Sequence, residues 1–203
     1  MSAVPSASAF AATLLQDNSI GIGPVLPEDT ANMFLWINDI ETAAQDLAYR
    51  PVDGVAFNAW LSSFANDASR VIFVIRKIPC RTAIGFVTIN NIQAVHRCGE
   101  LGIRIGRDGD RGRGFGKRAV SLACDFAWTH LNLNRLQLRV LADNVRAISA
   151  YKAVGFFEEG LHREAAYIGG RWADIAAMAI LRPAQESRNA LSPPRTGVTL
   201  RAI

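Results

Sequence analysis

The chain has few of the features that mark disulfide-rich, metal-binding or membrane proteins. Its 203 residues include only three cysteines, Cys80, Cys98 and Cys124, and no two of them form a C-x-x-C pair. This pattern argues against a disulfide framework or a zinc site and is typical of reduced thiols in the cytoplasm. No apolar run approaches the ~20 residues of a membrane span, and the N-terminus lacks the basic stretch of a signal peptide. We therefore expect a cytoplasmic protein with no membrane partner and no metal.

The body of the chain also carries little net positive charge. Its formal net charge is +4, but the segment after Leu181 holds four arginines and the single acid Glu186, and so carries three of the four charges. A short basic tail is usually a solvated end, and nucleic-acid recognition needs a basic surface on the folded body. Nucleic acid is therefore an unlikely partner, although a nucleotide- or nucleic-acid-binding protein stays open as a third function class.

Hydrophobic periodicity predicts an α+β domain. The expected order is β-α-α-β-β-β-α-β-α-β-β, with a mixed and mostly antiparallel sheet flanked by helices. The strands are expected at 20–26, 70–77, 82–92, 97–106 and 135–141, with a final hairpin over 157–181 that turns at Gly169 and Gly170. We expect an N-terminal extension at 1–19, the domain at 20–182 and a disordered tail at 183–203.

The segment GDRGRGFGKRA, residues 109–119, contains three glycines at alternate positions and begins a helix. A Walker-type loop needs Ser or Thr after Gly-Lys, and Arg118 stands there instead. The dinucleotide fingerprint needs G-x-G-x-x-G after the first strand of a parallel unit, and the spacing here differs. Backbone N–H groups at a helix N-terminus bind anions without a metal. The alternative is a tight surface turn with solvated arginines.

Two motifs together resemble the GNAT superfamily of acetyl-CoA-dependent N-acetyltransferases. RGRGFG, residues 111–116, is similar to that family's pyrophosphate signature (Q/R)-x-x-G-x-(G/A). NVRAISAYKAVGF, residues 144–156, is similar to its second signature, N-x-x-A-x-x-x-Y-x-x-x-G-F. The segments LPEDTANMFLWIND and YIGGRWADIAAMAIL resemble the branch that contains ribosomal-protein N-terminal acetyltransferases and spermidine acetyltransferases. The likeness covers about residues 20–182.

The resemblance implies direct transfer of an acetyl group from acetyl-CoA to an amine in a ternary complex. The residues that it assigns to the cofactor's pyrophosphate are Arg111, Gly112, Arg113, Gly114, Phe115 and Gly116. Those that it assigns to the pantetheine arm are Ile103, Arg104 and Ile105 on a strand that parts from its neighbour, and Asn144, which also suits a helix cap. Tyr151 matches the family's general acid, and its alternative role is a core aromatic residue.

The attacking amine needs a group that accepts its proton. Glu100 precedes the proposed oxyanion donor on the same strand, so its carboxylate is a candidate base acting through water. The alternative is a strand-face carboxylate paired with Arg97.

The sequence leaves the acceptor open among a protein N-terminus, a polyamine, an amino sugar and another small amine. Three acids suited to a cationic amine stand between the first two helices, namely Glu41, Asp46 and Asp53, beside Tyr49. A catalytically weak acyl-CoA-binding sensor is the alternative function. The expected assembly is a monomer or homodimer.

Overall fold

A computed structural model describes residues 13–40 and 50–184. The acids Glu41 and Asp46, Tyr49 and the predicted tail from residue 185 lie outside the described residues. The described strands are β1 (Leu15–Gln16), β2 (Ile20–Gly23), β3 (Val71–Lys77), β4 (Ala83–Gln93), β5 (Cys98–Ile105), β6 (Arg135–Leu141), β7 (Phe157–Ile168) and β8 (Arg171–Leu181). The described helices are α1 (Thr30–Asn38), α2 (Gly54–Asn66), α3 (Phe115–Thr129) and α4 (Val145–Lys152), with 3-10 turns at Pro27–Asp29 and Asp108–Asp110.

The strands form one eight-stranded sheet in the order β1-β2-β3-β4-β5-β6-β8-β7. Every neighbouring pair is antiparallel except β5 and β6, which α3 connects as a parallel crossover. The predicted α+β class with a mixed, mostly antiparallel sheet is confirmed. The final hairpin turns at Gly169 and Gly170, whose φ values of +58° and +83° suit glycine.

The beginning of the domain differs in detail from the sequence prediction. The strand expected at 20–26 ends at Gly23, because Pro24 has no N–H to donate to a neighbouring strand. A short strand, β1, lies within the predicted extension and pairs with β2. The first helix begins as a 3-10 turn at Pro27 and becomes α-helical only at Thr30.

Hydrophobic side chains cover both faces of the sheet. The larger cluster lies between the sheet and α3, where Ala119, Ala123 and Ala127 are fully buried. The smaller cluster lies on the other face, where α1 and α2 contribute Met33, Trp36 and Phe57. The sheet is thus a middle layer with α3 on one side and α1 with α2 on the other. None of the described helices is long and apolar enough to cross a bilayer.

A buried ion pair fixes the start of α1 to the sheet. Arg76 of β3 and Asp29 are only 2% and 3% exposed, and the Arg76 guanidinium donates to the Asp29 carboxylate. The same guanidinium donates to the Pro24 carbonyl at 3.1 Å, and the Leu26 N–H donates to Asp29 Oδ2 at 2.8 Å. Burial raises the pKa of Asp29 and lowers that of Arg76, with each charge offsetting part of the other's shift.

We expect Asp29→Ala to lower the free energy of unfolding by about 3–5 kcal/mol, because the Arg76 charge is then buried without its partner. Urea denaturation followed by circular dichroism measures the change. Glu28→Ala is the control, since Glu28 is exposed and its loss is expected to cost no more than about 0.5 kcal/mol. Combining Asp29→Leu with Arg76→Met should restore much of the stability. Equal losses in Asp29→Ala and Glu28→Ala would contradict this role of the pair.

Candidate active site

The site begins where β5 and β6 part. Cα partners run from Cys98 opposite Arg135 to Glu100 opposite Gln137, and beyond that point these two described strands are no longer paired. The gap opens into a cleft of about 470 Å³. One wall carries Ile103, Arg104 and Ile105 of β5, and the other carries Arg139, Val140 and Leu141 of β6.

The edge of β5 turns backbone polar groups into this cleft. The Ile105 carbonyl accepts from the Arg111 guanidinium at 3.1 Å, so it faces away from β4. A strand residue in an antiparallel pair directs its N–H and C=O to the same side, and the side alternates along the strand. The N–H and C=O of Ile103 therefore point toward the gap as well. An extended, amide-containing chain can pair with this edge as a strand would.

A glycine turn closes one end of the cleft. Gly112 and Gly114 have φ values of +74° and +80°, a region that non-glycine residues rarely adopt. Gly114 is the N-cap residue of α3 and has no side chain to accept hydrogen bonds from the first turn of the helix. The N–H groups of that turn have no intrahelical acceptor, and together with the helix dipole they favour an anion at this position.

Positive side chains surround the turn. One of them, Arg111, is bonded to the loop itself, and three others, Arg113, Lys117 and Arg146, make no ion pair with described residues. The Arg111 guanidinium braces the loop, because it bonds the Ile105 carbonyl and pairs with Asp108 at 2.6 Å. Arg113 is exposed and lies over the Phe115 ring, 5.4 Å from its centroid. Lys117 and Arg146 line the cleft and make no ion pair with described residues. A Cβ at Gly112 would lie 3.2 Å from Arg146 Nη2, so this guanidinium covers the turn.

A carboxylate also lines the cleft. Asp110 is buried, with 7% of its surface exposed, and its Oδ1 lies 2.5 Å from Lys77 Nζ on β3. The ion pair neutralises a negative charge beside the turn and ties the loop to the middle of the sheet. Among the described residues, no group of three or more His, Cys, Asp or Glu side chains is placed to hold a metal ion.

Helix α4 supplies the third wall. Asn144 is its N-cap, and Asn144 Oδ1 accepts from the Ala147 N–H at 3.1 Å. The helix-cap role that the sequence allowed for Asn144 is therefore formed. Tyr151 lines the cleft, and its ring packs against Phe156 with centroids 5.8 Å apart. A core-packing role and a position in the cleft are therefore compatible for Tyr151.

The structure brings most of the predicted site residues together. Those that line the one cleft are Ile103, Arg104, Ile105, Arg111, Gly112, Gly114, Gly116, Asn144 and Tyr151. Arg113, Phe115 and Glu100 are not part of its lining. Glu100 accepts from Asn91 Nδ2 at 3.1 Å, whereas Arg97 bonds Asn132. The alternative pairing of Glu100 with Arg97 is therefore not formed.

Sequence reasoning missed several polar residues of the cleft, namely Asp110, Lys117, Arg139 and Arg146. Arg146 lies inside the second motif, so the motif could have been used to predict that Arg146 lies in the cleft. Arg139 occupies a polar position in an alternating strand, and such a position alone does not indicate a site. Asp110 carried no signal, because its partner Lys77 is distant in sequence.

The comparisons with known proteins agree with this geometry. The model of the acetyltransferase (GNAT) domain family matches residues 20–157. A spermidine N(1)-acetyltransferase from Vibrio cholerae is 35% identical over 102 residues, which are 50% of this chain and 58% of that protein. The Escherichia coli K12 enzyme of the same name is 36% identical over 98 residues, or 48% and 52% of the two chains. The chain thus spans little more than half the length of these relatives.

Solved structures extend the likeness over the fold. A crystal structure of spermidine N-acetyltransferase from Vibrio cholerae in complex with CoA and spermine has a TM-score of 0.74 and 25% identity. It covers 81% of this chain and 96% of that one. A dodecameric structure of the enzyme from the same organism has a TM-score of 0.69 and 26% identity, and covers 81% and 95%. From the match to residues 20–157 and the two motifs in one cleft, the chain belongs to the GNAT acetyltransferase family.

Proposed function

We propose that the protein is an N-acetyltransferase that moves an acetyl group from acetyl-CoA to a primary amine by direct transfer in a ternary complex. The observation that carries the proposal is the single cleft that joins the glycine turn, the unpaired edge of β5 and Tyr151. Family membership supports the proposal, as do the relatives named spermidine N-acetyltransferases. A catalytically weak acyl-CoA sensor would use the same turn but would not need Tyr151.

The chain's own groups suit the parts of the cofactor. The N–H groups at the start of α3, with Lys117 and Arg146, would bind the pyrophosphate. The edge of β5 would pair with the amide-containing pantetheine arm, and the Ile103 N–H would donate to the thioester oxygen as negative charge develops there. Because the cap uses Asn144 Oδ1, the Asn144 amide NH2 is the group left for the arm.

Transfer forms one bond and breaks another. The amine nitrogen attacks the acetyl carbon, the carbon–sulfur bond breaks, and the amine loses a proton while the thiolate gains one. The Tyr151 hydroxyl would protonate the sulfur. Glu100 would accept the amine proton through water, because it lies at the last paired position before the cleft opens and outside the lining itself.

The deciding experiment is release of free thiol from acetyl-CoA by purified protein, with polyamines, N-terminal peptides and amino sugars as acceptors. Release with one class supports an N-acetyltransferase and identifies its acceptor class. Binding of acetyl-CoA in calorimetry without release for any acceptor would favour the sensor. Absence of binding would contradict both functions. The expected monomer or homodimer stays a prediction, which light scattering can check.

Gly112→Ala is expected to weaken acetyl-CoA binding by about tenfold or more, because the new Cβ displaces Arg146 and strains the turn. Calorimetric titration measures the affinity. Gly169→Ala is the matched control, since Gly169 also has a positive φ, +58°, but lies in the β7–β8 turn with open space around it. Both variants should lose stability, and only Gly112→Ala should lose affinity. Equal affinities would argue against a pyrophosphate at this turn.

Tyr151→Phe should lower kcat by about 100-fold or more, because the leaving thiolate loses its proton donor. The dissociation constant of acetyl-CoA should stay within about twofold, since the ring still packs against Phe156. Steady-state thiol release and calorimetry separate the two effects. An unchanged kcat would remove Tyr151 from the mechanism.

Glu100→Gln should abolish the acidic limb of the pH–rate profile, because the neutral amide cannot accept the amine proton. Gln keeps the shape of the side chain and can still contact Asn91. The profile of kcat/KM against pH, measured with a saturating concentration of acetyl-CoA, tests the role. Persistence of the limb in this variant would assign the base to another group.

A further inference from the structure

Arg139 lies on the same face of the sheet as Glu100, the base proposed for the acceptor amine. On β6, Leu136, Leu138 and Val140 belong to the large core beneath α3. Side chains alternate along a strand, so Arg139 projects from the opposite face, which is the face that α1 and α2 cover farther along the sheet. Its neighbour across the β6–β8 pair is Ala177, whose short side chain leaves the space around the guanidinium open. Arg139 is exposed and lines the cleft.

Arg139 differs from Arg104 and Arg111, which also line the cleft, in having no partner among the described residues. The Arg104 guanidinium donates to the Trp36 carbonyl at 2.9 Å and to the Ile37 carbonyl at 3.4 Å. Arg111 is held by the Ile105 carbonyl and by Asp108. Within residues 13–40 and 50–184, Arg139 makes no hydrogen bond, ion pair or ring contact. Its donors are therefore free for a ligand.

The position of Arg139 along the cleft separates it from the glycine turn. Arg146 covers Gly112, and Lys117 lies in the first turns of α3, so these two cations serve the end that suits a pyrophosphate. Arg139 instead stands two residues, or roughly 7 Å, beyond Gln137, which pairs with Glu100 at the parting of the strands. That depth is where the uncharged pantetheine arm and the thioester would lie. An arginine there has no cofactor phosphate to neutralise.

We propose that Arg139 is a specificity residue that binds an oxyanion carried by the acceptor close to its amine. The inference rests on the proposed function and narrows its substrate class to amines that bear a carboxylate or a phosphate. A guanidinium binds either group through two parallel N–H···O bonds. The same positive charge disfavours a polycation at this point, while Glu100, on the same face, offers the negative group that an ammonium needs before it loses its proton.

The test compares acceptors with and without a negatively charged group near the amine. The matched pairs are O-phosphoethanolamine with ethanolamine, and the peptide Ser-Glu-Ala-Gly with Ser-Gln-Ala-Gly, and spermidine represents the polycations. For each acceptor, kcat/KM is measured by thiol release for the native protein, for Arg139→Gln and for Arg139→Lys. Arg163→Gln is the matched control, because Arg163 is exposed on β7 and has no partner among the described residues.

We expect the native protein to favour the negatively charged member of at least one pair by about 10- to 100-fold, the range for a hydrogen-bonded ion pair. Arg139→Gln should remove that preference by lowering kcat/KM only for the negatively charged member of the pair. Arg139→Lys should restore it in part, and Arg163→Gln should leave it intact. The affinity for acetyl-CoA should be unchanged in all three variants.

Two results would overturn the inference while leaving the proposed function in place. One is acetylation of spermidine in preference to every negatively charged acceptor, with no effect of Arg139→Gln on that preference. The other is a loss of acetyl-CoA affinity in Arg139→Gln that slows all acceptors equally, which would assign Arg139 to the cofactor. If none of the acceptors causes thiol release while acetyl-CoA still binds, the proposed function is contradicted, and the inference falls with it.

Discussion

The candidate site depends on a parallel strand pair that stops early. β5 and β6 pair only as far as Glu100 and Gln137, and backbone N–H and C=O groups beyond that point have to find other partners. The Arg111 guanidinium donates to the Ile105 carbonyl, and the rest of the unpaired edge of β5 faces the cleft. An interrupted ladder costs hydrogen bonds that the fold does not recover internally. That unmet bonding capacity is what allows a ligand to complete the sheet.

The elements around the gap keep it open. Helix α3 begins at the end of β5 through a turn that needs two glycines with positive φ, and the core of the domain fixes the far end of the helix. Helix α4 closes the other side, with Asn144 setting where it begins. Lys77 of β3 pairs with Asp110 and so holds the loop between β5 and α3. The walls of the cleft are therefore held by packed elements, which is the condition for a preorganised site.

Local sequence predicted the elements well because their signals are local. The strand Arg135–Leu141 follows from the alternation of its polar and apolar residues, and the start of α4 follows from the capping chemistry of Asn144. The two motifs predicted which segments meet, and residues of both line one cleft. Long-range pairs escaped prediction because no periodicity encodes them. Lys77 with Asp110, and Glu100 with Asn91 rather than Arg97, exist only after the chain has folded.

The buried pair of Arg76 and Asp29 has a consequence for how this sequence can change over time. Either side chain alone is a buried charge without its counterion, whereas two apolar residues of similar volume are tolerated. A lineage that alters one position must therefore pass through a poorly folding intermediate or change both at once. Since the pair anchors the start of α1 to β3, this helix is held by a contact that evolution can replace only as a unit.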